Sequence, residues 1–208
     1  MSVWQARREL FFRILGVGAL FSGVALVTYI IAGVSLRLGL VLTGGCLIIA
    51  VGSVWRRTPV EERPRIVRRT SVGLLSGLMA TTAYDLTKFA FSQWYPSSYN
   101  PFEAIRVFGV LLVGPSMSKF AVYGAGMAFH VLNGVSFGLA FCFLFARPGV
   151  VTGLVWGFFL EVFQLTLFPG WLDIRFYREF AQISVLSHVM YGTVLGLSCK
   201  HGLRLLRL

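Results

Sequence analysis

The chain has 208 residues, of which 56% are hydrophobic and 13% charged, with a mean hydropathy of +0.76 and a net charge of +11. A soluble domain keeps about a quarter of its residues charged to cover its surface, so a water-exposed globule is excluded and lipid must cover the rest. The Lys and Arg residues fall between apolar runs, a placement that points away from nucleic acid and toward topology signals and anionic headgroups.

In chain order, the basic start MSVWQARRELFFR precedes a long apolar stretch. No small-residue cleavage site followed by a polar mature segment appears, so an uncleaved first helix is expected. The pattern predicts helices over 12–33, 36–55, 71–93, 120–145, 150–169 and 181–202, each near the ~20 residues that cross hydrocarbon. The expected fold is all-α: a polytopic membrane helix bundle of about six transmembrane helices, in one integral membrane domain over 1–208. Residues 12–55 form an N-terminal hairpin and 71–202 a four-helix core.

Thirteen of the 19 basic residues fall on one side of that arrangement. They are Arg7, Arg8 and Arg13, then Arg56, Arg57, Arg63, Arg65, Arg68 and Arg69, then Arg147, then Lys200, Arg204 and Arg207. The positive-inside rule puts both termini in the cytoplasm, and an even number of spans requires them on one side. The stretch after the third helix carries Trp94, Tyr95 and Tyr99, residue types that sit at the membrane interface. The apolar run Phe102–Val113, within 101–116, is short for a span and is expected to re-enter or lie at the interface. PGWLDIRFYREF, between the fifth and sixth helices, also reads as interfacial.

Helices four and six share a pattern from His130 to Leu139 and from His188 to Leu197, in which His, both glycines and the final Leu coincide. Asn133 and Tyr191 occupy the same offset after each histidine. Helices three and five share Gly73–Gly77 and Gly153–Gly157. A tandem two-helix repeat is the simplest account. Residues four apart share a helix face. Gly73 and Gly77 thus stack below Asp85, Gly134 and Gly138 follow His130, Gly153 and Gly157 precede Glu161, and Gly192 and Gly196 follow His188. Small residues at this spacing let helix backbones approach closely. Their order along the chain gathers the glycines in the cytoplasmic half and the ionisable groups near the midplane, in a polar pocket expected to open outward.

Ionisable groups inside a span cost about 2.5–3.5 kcal/mol each on insertion scales, so they are paired or functional. Asp85 and Lys88, three apart, can pair with each other. Glu161 has Gln164 one turn on and no basic neighbour in its own helix, so it needs a proton, a partner across the bundle or a metal. The set Asp85, Lys88, His130, Asn133, Glu161, Gln164, His188 and Tyr191 reads as an ion or proton site, since histidine titrates near neutrality. His130, Glu161 and His188 are alternative ligands for zinc or iron, and the two histidines for a haem. Cys46, Cys142 and Cys199 have no CxxC spacing and an odd count, and are read as buried apolar residues without a disulfide. GxxxxGK[ST] and HExxH are absent, so no catalytic residue is named and an enzyme is not indicated.

Several of these motifs together resemble the YagU-like family of bacterial inner-membrane proteins over residues 70–200. They are Gly73–Gly77, His130, the Gly-Leu-x-x-Gly of Gly153–Gly157, Pro169, Glu179 and His188. The first hairpin has no counterpart there. The resemblance implies a small multi-pass protein of the bacterial inner membrane and no particular activity. The function classes left open are proton- or ion-responsive solute passage, a metal- or haem-binding membrane subunit, and a structural subunit. In the last, the glycine faces hold partner subunits or further copies of the chain.

Overall fold

Helix ends are set by local chemistry. Ser35 and Ser118 cap the helices that follow, accepting from the N–H of Leu38 and of Ala121, each at 3.3 Å. Gly33, at φ 69°, and Gly114, at φ 96°, close the preceding ones in backbone regions that favour glycine. A computed structural model describes residues 3–94 and 99–206, so Tyr95 and Arg207 lie outside the described residues.

Among the described residues there are eight α-helices and no strand. They are α1 (Val3–Gly18), α2 (Phe21–Ala32), α3 (Leu36–Arg57), α4 (Arg63–Trp94), α5 (Glu103–Val113), α6 (Lys119–Leu144), α7 (Val150–Trp171) and α8 (Tyr177–Leu205). The fold is an all-α bundle. α4 stands at its centre, packed on α6 and α8. α7 closes on α8, α5 on the start of α6, and α1 to α3 form a group against α6.

α3, α6, α7 and α8 are long and apolar enough to cross a membrane. The expected first helix over 12–33 is instead broken at Ala19–Leu20, and its two halves are bent by 46°. Hydropathy is continuous across the break, so the pattern does not reveal it. Gly16 and Gly23, on either side, let α1 press on Leu144 and α2 on the Phe137 ring of α6. Counted as one bent span, the pair raises the number of candidate spans to five. α4 has 32 residues but is too polar to count by composition.

The run near 101–116 forms the 11-residue α5. At ~1.5 Å per residue it is about half as long as the ~30 Å hydrocarbon core. It lies against α6 with backbone nearly touching backbone: a Cβ on Gly109 would strike the Val122 carbonyl, and one on Gly126 the Ile105 carbonyl.

The cysteine expectation is overturned. Cys142 of α6 and Cys199 of α8 are both fully buried and joined as a disulfide, while Cys46 is free and exposed. Their separation of 57 residues is invisible to a spacing rule, because the fold brings the two helix ends together. Beside them the Arg69 guanidinium donates to the carbonyls of Cys142, at 2.5 Å, and Phe145, at 2.7 Å, at the end of α6.

Candidate functional site

The glycine faces interlock as two helix pairs. In the first, Gly77 of α4 lies against Gly138 of α6, Thr81 against Gly134, and Gly73 against Leu139 and Cys142. In the second, Gly153 of α7 lies against Gly192 of α8, Gly157 against the His188 carbonyl, and Gly149 against Gly196. A Cβ at Gly134, Gly138, Gly153, Gly192 or Gly196 would collide with the facing helix, so only glycine permits this approach.

Continuing each register by one turn delivers the ionisable groups. Asp85 of α4 meets His130 of α6, whose Nε2 lies 2.8 Å and 3.1 Å from the two carboxylate oxygens. Glu161 of α7 meets His188 of α8, with Nδ1 2.5 Å from Oε2. Ser184 Oγ donates to the same oxygen at 2.7 Å. The His188 Nδ1 also faces the Ser184 carbonyl at 3.2 Å. A carbonyl oxygen can only accept, so Nδ1 donates to the Ser184 carbonyl.

The two pairs are therefore related but not identical. Glu161 lies one turn beyond Gly157, the α7 residue that faces His188 as Asp85 of α4 faces His130. It reaches back to its histidine from opposite Ser184, which is why the two imidazoles offer different nitrogens. Burial separates them further: the Glu161 side chain is 3% exposed and that of Asp85 26%.

Tyr84 of α4 stands between the pairs. Its ring centre is 4.9 Å from that of His188, 6.0 Å from that of His130 and 6.5 Å from that of Tyr191. Its hydroxyl donates to Gln164 Oε1 at 3.3 Å. Tyr191 donates to the Gly134 carbonyl at 2.8 Å, joining α8 to α6. Asn133 Oδ1 and Glu161 Oε1 are buried without a hydrogen-bond partner. The sequence reading missed Tyr84, and its place beside Asp85 on the same helix was the available signal.

Asp85 and Lys88 do not pair. The closer imidazole takes Asp85, and Lys88 turns the other way. Its ammonium donates to the Pro101 carbonyl at 3.3 Å and sits 4.5 Å over the Tyr84 ring. Among the described residues, no three His, Cys, Asp or Glu side chains gather as a metal-holding set. His130, Glu161 and His188 split between two pairs, so the ligand set expected for zinc or iron is not assembled.

These groups face a cavity of about 310 Å³. Tyr84, Lys88, His130, Asn133, Gln164, His188 and Tyr191 line its polar side. Leu20 at the break, Val24 and Val27 of α2 and Phe159, Phe163 and Leu167 of α7 form its apolar walls. Ala104 and the buried Phe108 of α5, with Tyr99, close one end of it. The exposed lining residues are Val24, Phe159 and Phe163, so the gap lies sideways between α2 and α7. Tyr99, outside the helices, is pushed up to about 12 by burial. Compared with known proteins, the chain matches no family model, no curated protein and no solved structure, which leaves the resemblance to the YagU-like family resting on its motifs alone.

Proposed function

We propose that this is a six-span protein of the bacterial inner membrane with both termini in the cytoplasm, and that proton exchange at its two His–carboxylate pairs governs passage or binding of a solute in the adjoining cavity. The bent α1–α2 pair, α3, α4, α6, α7 and α8 are the six crossings, and α5 lies at the interface. α4 counts as a crossing despite its polar groups because α6 and α8 flank it and shelter Asp85 and Lys88 from lipid. The arginines at 63, 65, 68 and 69 then fall at its cytoplasmic end, with those at 7, 8, 13, 56 and 57.

One observation carries the reading. Two His–carboxylate pairs from two different helix pairs converge on one tyrosine at the edge of one cavity. A purely structural ion pair has no need of a second copy beside an open space. Histidine changes charge in the physiological range, and a buried carboxylate partner couples that change to its surroundings.

Vesicles holding the purified chain and an entrapped pH dye test it. After an imposed pH step, vesicles with the wild-type chain are expected to equilibrate faster than empty ones. Glu161→Gln and His188→Ala are expected to remove the difference. Equal rates in empty and wild-type vesicles, or variants as fast as the wild type, would end the reading.

A further inference from the structure

We infer that the cavity binds a single-chain anionic amphiphile, a long-chain carboxylate, with its head on Lys88 and its chain lying between α2 and α7. The juxtaposition is of a buried cation and an apolar slot open to the side. Lys88 is 8% exposed and lines the cavity. Among the described residues its ammonium has one hydrogen-bond acceptor, the Pro101 carbonyl, and one aromatic face, Tyr84. An ammonium carries three donors. No described carboxylate is within ion-pair distance of it, and Asp85 and Glu161, held by the histidines, act on it only at longer range. A buried cation without a contacting counter-charge is costly, and an anion in the cavity supplies that contact.

The walls select the rest of the ligand. Val24, Val27, Phe159, Phe163 and Leu167 offer no hydrogen bond from their side chains, and Val24, Phe159 and Phe163 are exposed at the gap. If the helices cross a bilayer, that gap faces acyl chains, so a ligand arrives from the membrane without passing through water. The volume is at the lower end of the ~300–1,000 Å³ of small-molecule sites. One chain and a small head fit such a space, and a two-chain phospholipid does not. The closed end, under α5 and Tyr99, is where Lys88 sits, which puts the charge at the roof and the chain below it.

This inference shares with the functional reading only the use of the cavity as the working site. It is tested at equilibrium, without a pH gradient, so proton movement can fail while binding stands. The full chain in zwitterionic nanodiscs is photolabelled with a diazirine analogue of palmitate, and labelled peptides are mapped with palmitate, hexadecanol or a lysophospholipid as competitor. The expected result is labelling on α2 and α7. Palmitate should displace the probe at concentrations roughly tenfold below hexadecanol, and lysophospholipid should compete no better than hexadecanol. Lys88→Met should abolish the preference for palmitate, and Lys88→Arg should keep it. Equal displacement by palmitate and hexadecanol in the wild type, or labelling spread over the outward face of α3, would overturn the inference. Should Lys88→Met not fold, the wild-type competition series decides alone.

Discussion

Glu161 and His188 meet at Nδ1, with Ser184 donating to the same carboxylate oxygen, whereas Asp85 and His130 meet at Nε2. The deeper pair is thus built from three side chains and the shallower from two. Loss of the deeper carboxylate leaves the Ser184 hydroxyl without its acceptor and the His188 N–H with the Ser184 carbonyl alone, in a nearly dry site. Glu161→Leu is expected to destabilise by on the order of 3 kcal/mol. Glu161→Gln, which keeps an acceptor, should cost clearly less. Thermal unfolding in nanodiscs orders the two variants, and equal losses would show that the pairing contributes nothing.

Glycine substitutions should divide sharply by position. A Cβ at Gly138 or Gly192 meets the backbone of the facing helix, so Gly138→Ala and Gly192→Ala should abolish the folded monomer or cut its yield severely. Gly52 has nothing within 4 Å of an added Cβ. Gly52→Ala should be neutral or stabilising, by up to about 1 kcal/mol from helix propensity. Size-exclusion profiles and unfolding temperatures measure both.

The Cys142–Cys199 bond gives a labelling pattern. In protein unfolded without reductant, a thiol reagent should modify Cys46 alone, and after reduction all three cysteines. If the termini are cytoplasmic, the bond sits near a face exposed to reductants that keep most thiols free. Both sulfurs are fully buried, so native protein should resist reduction far longer than unfolded protein. Rapid reduction of the folded chain would contradict that burial.

Arg69 answers the unpaired carbonyls at the end of α6, a place where a cation is favoured. Arg69→Ala should cost about 1.5–3 kcal/mol, the range for a hydrogen bond to a charged group. Arg69→Lys should recover little, because an ammonium cannot reproduce the two-pronged geometry. Unfolding curves for the two variants check this, and full recovery by lysine would show that charge alone suffices.

Much of the bundle was legible because membrane helices advertise themselves by length and apolarity, and because the four-residue rhythm of Gly73, Gly77, Thr81 and Asp85 survives folding unchanged. The same rhythm placed the carboxylates and histidines on the glycine faces that meet. It did not foretell the partner of Asp85. Asp85 has Lys88 on the next turn of its own helix and His130 across an interface, and only the closeness allowed by Gly77 and Gly138 decides for the imidazole. The break at Ala19–Leu20 and the cysteine pairing were equally hidden. Each depends on what α6 places against the chain, and hydropathy averages over such contacts.

Tyr84 touches both histidines, Tyr191 and the Lys88 ammonium. The two acid–base pairs therefore share a wall and are not separate energetic units. Substitutions made in one pair and then the other will not sum, since residues with a common neighbour couple. A thermodynamic cycle linking Asp85→Asn with Glu161→Gln should carry a cross term that shrinks once Tyr84 is replaced by leucine. A single aromatic ring makes two distant-looking positions in the sequence one cooperative unit.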